Sequence, residues 1–124
     1  MYYEAREKAL NNGCHYHIAA ILRRKKRVVR IGINSYKTHP AYKRTYADGT
    51  SAACMHAEMD ALRFSEPGDT LEVMRFVPTG YAMAKPCPLC MRLIQQKKIS
   101  KLRFTNRQGE WEEYDLKTQL MEIP

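Results

Sequence analysis

Apolar positions along the chain change their spacing several times, and each change marks an element. Over about residues 2–11, Tyr3, Ala5 and Leu10 stand among charged side chains, which predicts a short helix closed by Asn11-Asn12-Gly13. Residues 15–22 and 28–33 are dense in Ile, Val and Leu and flank the basic turn Arg23-Arg24-Lys25-Lys26-Arg27, so they predict a β-hairpin. From Asn34 to Cys54 no period is sustained, and Pro40 and Gly49 break what remains. That segment reads as a long loop, of the kind that contacts substrate. Met55, Met59 and Leu62 share one side of a predicted second helix over 55–64, which Ser65-Glu66-Pro67-Gly68-Asp69 stops. Residues 71–77 predict a strand, and 88–98 a third helix after a proline-bracketed start. Residues 101–105 and 111–116 are two short strands. Their connection, Asn106 to Glu110, is too short for a crossover helix, so they should pair antiparallel.

No internal repeat, low-complexity tract or linker divides the 124 residues, and the expectation is one domain over 1–124. Hydrophobic residues at 44% supply a core and exclude a disordered chain. No apolar run approaches the ~20 residues of a membrane span, and the N-terminal residues have no signal-peptide core. A cytoplasmic protein without a membrane partner is therefore expected. Lys plus Arg number 21 against 13 Asp plus Glu, a net +8 that favours anionic partners such as nucleotides or nucleic acid. Of the four cysteines, Cys87 and Cys90 form a Cys-x-x-Cys pair that points to metal or redox chemistry. Cys14 and Cys54 read as plain thiols.

His56-Ala57-Glu58 opens the second helix and Pro86-Cys87-Pro88-Leu89-Cys90 opens the third. On a first helical turn the two sulfurs point the same way and reach one ion, and the helix dipole favours their thiolates. With the His56 imidazole they make three protein ligands of total charge about −2, which Zn²⁺ neutralises while keeping a fourth position for water. An open position implies catalysis rather than scaffolding. Glu58 then has a separate role: a carboxylate beside the activated water takes its proton and passes it on. Attack on the amine-bearing carbon of a pyrimidine requires protonation of the ring nitrogen and then of departing ammonia, and one carboxylate serves both steps. The residues predict hydrolytic deamination. Cys54 as a fourth ligand would close the site and leave Glu58 without a purpose, so it reads as a core thiol. His15 and His17 share one face of a strand and Cys14 the other, and neither histidine suggests a second metal site.

His-x-Glu at 56–58 with Pro-Cys-x-x-Cys at 86–90 resembles the zinc signature of the cytidine deaminase-like superfamily, and the order of elements over 2–116 is similar as well. The resemblance implies a three-layer α/β/α fold with a mixed five-stranded sheet and an antiparallel closing hairpin. It also implies Zn²⁺ as cofactor, self-association, and a pyrimidine nucleotide or nucleoside as substrate. Asn34 resembles the family asparagine that bonds a sugar hydroxyl, and Ala57 the backbone amide donor to the base carbonyl. Lys85 stands where many relatives acting on transfer RNA adenosine have glutamate, which counts against that substrate. The loop from Asn34 to Pro40 resembles small phage deaminases, and the closing hairpin is similar to free-nucleoside deaminases. A free cytosine nucleotide such as dCMP is the leading expectation, with Lys37, His39, Lys43 and Arg44 as candidates for its phosphate. Deamination within single-stranded DNA or RNA is the alternative. There the tyrosines and cations of the 34–54 loop, with the basic turn, would form a strand groove.

Overall fold

A computed structural model describes residues 2–14, 16–35, 44–45, 51–52 and 56–116. In chain order the elements are α1 (Tyr2–Leu10), β1 (Ile18–Arg24), β2 (Arg27–Ile33), β3 (Arg44–Thr45), β4 (Ser51–Ala52), α2 (Ala57–Leu62), β5 (Thr70–Val77), β6 (Gly80–Ala82), α3 (Pro88–Gln96), β7 (Lys101–Thr105) and β8 (Trp111–Asp115). The predicted elements are all present, with ends displaced by a few residues. α3 stops at Gln96, short of the expected Lys98, because Lys98 adopts a left-handed φ of 57°. The loop expected over 34–54 contains the small antiparallel pair β3–β4, and its remaining central residues lie outside the described ones.

The main sheet has the order β2-β1-β5-β7-β8, with β6 paired to β5. β5 and β7 run parallel with α3 as their crossover, whereas β7 and β8 pair antiparallel, as the short connection between them requires. The expected five-stranded sheet is corrected to six strands. A turn at Pro78-Thr79 folds Gly80–Ala82 back on β5, and a three-residue strand is too short to show a period of two.

The period of two in the long strands builds three layers. Ala19 and Ile21 of β1, with Met74 and Phe76 of β5, bury against Ala5 and Ala9 of α1. Ala20, Leu22, Leu71 and Val73 face the other way, onto Ala57, Ala61 and Leu62 of α2 and Met91 and Ile94 of α3. Trp111 joins the α1 side by stacking on Tyr2, while Phe104 stacks on Tyr114 on the other. Among the described residues no helix is long and apolar enough to cross a membrane.

The basic turn divides. Lys25 and Lys26 form its exposed tip with positive φ, the backbone twist that two-residue hairpins need. Arg23 instead donates to the buried carboxylate of Glu72, which also accepts from Tyr2 and Arg103. Arg24 forms two hydrogen bonds of 2.9 Å to Asp69, whose side chain is buried. These arginines therefore tie the hairpin to β5 and to Asp69 just before it.

Burial by itself would raise the Asp69 carboxyl, but hydrogen bonds from Arg24 and the Glu66 N–H outweigh it and hold the group below the usual carboxylate range. A depressed folded-state pKa gives stability that is complete above the unfolded value of about 4 and disappears as pH falls through the folded value. Urea unfolding should therefore show Asp69→Asn well below the parent at pH 7 and the gap narrowing towards pH 2. A gap that stays constant with pH would remove the ionic contribution.

Candidate active site

Two helix starts and the end of one strand make the site. His56 has extended backbone angles (φ −85°, ψ 157°) and caps α2, and Cys87 (φ −66°, ψ 164°) caps α3, where Pro88 supplies a preset φ for the first helical position. Packing of both helices on one face of the sheet brings these caps together. His56 Nδ1 lies 3.4 Å from Cys90 Sγ and 3.9 Å from Cys87 Sγ, and the three ligand atoms fall within 4.8 Å of one another.

These distances suit a tetrahedral zinc ion, in which a nitrogen and a sulfur ligand are about 3.6 Å apart for ordinary Zn–N and Zn–S bonds. The electrostatics agree. A hydrogen bond from the Cys90 thiol, opposed by burial and helped by His56, brings the Cys87 thiol down to about 3, so it is a thiolate at neutral pH. His56, Cys87 and Cys90 are the residues that would hold the metal.

Glu58, at the second position of α2, is buried and lines the same cavity of about 270 Å³ as His56, Ala57, Cys87 and Asn34. Ala57 is the first residue of α2, so its N–H has no acceptor within the helix. Asn34 is more occupied than its expected role suggests. Its Oδ1 accepts from Asn12 Nδ2 (2.7 Å) and the Ile18 N–H (3.0 Å), and its Nδ2 donates to the Tyr16 carbonyl (3.0 Å). Both carbonyl lone pairs are thus filled, which leaves the second N–H of Nδ2 as the group available to a ligand. Lys37, His39 and Lys43 lie outside the described residues, as do His15 and Cys54, and Arg44 enters only through the backbone of β3.

α2 is held in place by Asp60, whose carboxylate accepts from Arg30 (3.1 Å), Arg63 (2.5 Å) and the Ile33 N–H (3.3 Å). Burial pulls this carboxyl up, but the three hydrogen bonds together hold it below its ordinary value, so it stays ionised and binds α2 to β2. Tyr16 also lines the cavity and was missed in the sequence. Its signal is the period of two, since Tyr16 continues the face of Ile18, Ala20 and Leu22. Lys85, Met83 and Ala84 complete the wall on the α3 side. Asp60 carries no such signal, because its partners come from another element.

A family model described as the cytidine and deoxycytidylate deaminase zinc-binding region matches residues 1–106. No curated protein matches the chain. Among solved structures, the dCMP deaminase of the cyanophage S-TIM5 in complex with dCMP and dUMP is similar at 23% identity and a TM-score of 0.56, over 84% of this chain and 76% of that one. The cytidine deaminase of Burkholderia pseudomallei is similar at 21% identity and a TM-score of 0.61, over 98% of this chain and 91% of that one. At these identities the likeness is one of fold.

Proposed function

Because the chain belongs to the cytidine and deoxycytidylate deaminase zinc-binding family, and is on that ground a zinc-dependent deaminase, we propose that it converts a free cytosine nucleotide or nucleoside such as dCMP to its uracil counterpart. The observation that carries this reading is the meeting of His56, Cys87 and Cys90 at the small cavity that Glu58 also lines. Zinc, which the first three would hold, would supply the Lewis acidity that makes a water molecule acidic enough to attack near neutral pH. Glu58 takes a proton from that water and delivers it to ring N3 as the new C4–O bond forms. It then moves a second proton, from the new C4 hydroxyl, to the amino nitrogen, the C4–N bond breaks as the C4 carbonyl forms, and ammonia leaves. The Ala57 N–H holds the base carbonyl, and the Asn34 amide donates to a sugar oxygen.

The cavity of about 270 Å³ supports a substrate of one base and sugar, as does the solved dCMP deaminase complex that shares the fold. Lys85, a cation in the wall, supports an anionic substrate. Incubation with cytidine, deoxycytidine and their monophosphates should give uracil products and ammonia from at least one of them. Neutralising Lys37, His39, Lys43 and Arg44 together should raise KM for the nucleotide and leave that for the nucleoside unchanged. No conversion of any of the four compounds by zinc-loaded protein would reject the reading.

A further inference from the structure

Tyr16, in the wall of the active-site cavity, stands at the edge of a surface that the free-nucleotide reaction does not use. Tyr16 also lines a larger cavity of about 460 Å³ with Arg6, His17, Arg75 and Phe76. Arg6 and Phe76 in turn line a third, of about 320 Å³, with Tyr2, Tyr3 and Tyr81. Shared wall residues, Tyr16 first and then Arg6 with Phe76, make the three cavities neighbours, and a strand laid across them in order would follow a path from the zinc site to α1. One wall of the path is a stripe of α1: Tyr3, Arg6 and Leu10 are spaced by three and four residues and cover about 10 Å of helix.

The chemistry of this path differs from that of an ordinary surface. Tyr3, Leu10 and Tyr16 belong to the few large apolar side chains exposed among the described residues, and Tyr3 is 85% exposed. Arg75 lies under Tyr16 with its guanidinium 4.6 Å from the ring centre, and its buried Nε has no hydrogen-bond partner. Among the described residues Arg75 and Arg6 form no ion pair, in contrast to Arg23, Arg24, Arg30, Arg63 and Arg103. Among the described residues no acidic side chain lines either of the two outer cavities. Aromatic faces interleaved with cations that lack a counter-charge are what stacked bases and their phosphates require, and a net charge of +8 adds long-range attraction.

We propose that this groove binds single-stranded nucleic acid, holding the nucleotides next to a cytosine that enters the zinc site, so that a base within a strand is deaminated as well as a free one. The reaction is the same hydrolysis, C4–N exchanged for C4–O with release of ammonia, and that step rests on the deaminase reading above. The binding does not.

The test separates the two. Anisotropy of a labelled oligothymidylate, which contains no cytosine, reads binding without turnover. Wild-type protein should bind it with log K falling linearly with log salt concentration. The double variant Tyr3→Ala/Arg6→Gln changes two exposed side chains remote from the zinc ligands, and circular dichroism should show α1 intact. It should bind at least tenfold more weakly with a shallower salt slope, and should raise KM tenfold for an oligothymidylate carrying one cytosine while leaving KM for dCMP unchanged. Absence of salt-dependent binding by the wild type would overturn the proposal, as would equal binding by the variant. Sedimentation showing the groove closed by a second copy, with Tyr3→Ala releasing monomers that bind no better, would also overturn it. If no substrate is converted yet binding still depends on Tyr3 and Arg6, the groove stands and the deaminase reading fails.

Discussion

Glu58→Gln is expected to keep its zinc and lose turnover of cytosine substrates by a hundredfold to ten-thousandfold, the range for removing a positioned general acid–base. The separation of the two effects follows from the geometry. The proposed ligand atoms belong to His56, Cys87 and Cys90, which approach one another without Glu58, while Glu58 lines the cavity proposed to take the base. Glutamine preserves the size of the side chain and its packing in α2 but cannot carry a proton from water to ring N3. Metal analysis should give the same zinc content per chain as the parent, and ammonia release should give the rate. Equal turnover would show that the proton travels by another route. Loss of zinc together with activity would make Glu58 a support of the metal site instead of its partner. Cys90→Ala should behave in the opposite way, losing metal first and turnover as a consequence.

The second large effect is expected far from any reacting atom. Gly32 of β2 faces α2 so closely that a Cβ there would meet Ala57 O at 2.5 Å and Ala61 N at 2.7 Å. Both are backbone atoms, so no side-chain rotation relieves the clash, and α2 as a whole must move away from the sheet. α2 has only six residues and carries His56 as its cap and Glu58 in its first turn. A displacement that leaves α3 in place therefore pulls the imidazole from the two sulfurs. Gly32→Ala should cost about 3 kcal/mol of stability, the upper end of ordinary overpacking, and should weaken zinc retention against a chelator. Urea unfolding and competitive chelation read the two effects. A variant with parental stability and zinc affinity would mean that β2 and α2 are farther apart than the structure places them.

Much of the candidate site was legible in the sequence because it is written in short spacings. A spacing of three from Cys87 to Cys90 places two sulfurs at one helix start, and a spacing of two from His56 to Glu58 separates the candidate ligand from the candidate proton carrier. Pro88 after Cys87 marks where α3 begins, and alternation along 18–22 and 71–77 distinguishes the two faces of the sheet. These are properties of a chain segment only a few residues long, in which backbone geometry alone decides which side chains are neighbours. Glu72 shows the limit. Nothing in its own strand distinguishes a solvent-facing glutamate from a buried one, and it is buried because Arg23, Arg103 and Tyr2 arrive from three other elements.

By itself, then, the sequence determined the candidate ligands, their pairing within each helix start, the three helices and five of the strands, and the antiparallel closing pair. Only the tertiary structure decided that His56 meets sulfurs 31 and 34 residues away, and that the Asn34 carbonyl is spent on Asn12 and Ile18. It also decided that two of the five basic residues of the turn pair with Glu72 and Asp69, while Arg6 and Arg75 remain facing a groove. The reason is physical. Local spacing sets the direction in which a side chain leaves its own element, but its partner depends on which other element packs there, and that choice belongs to the burial of the whole core.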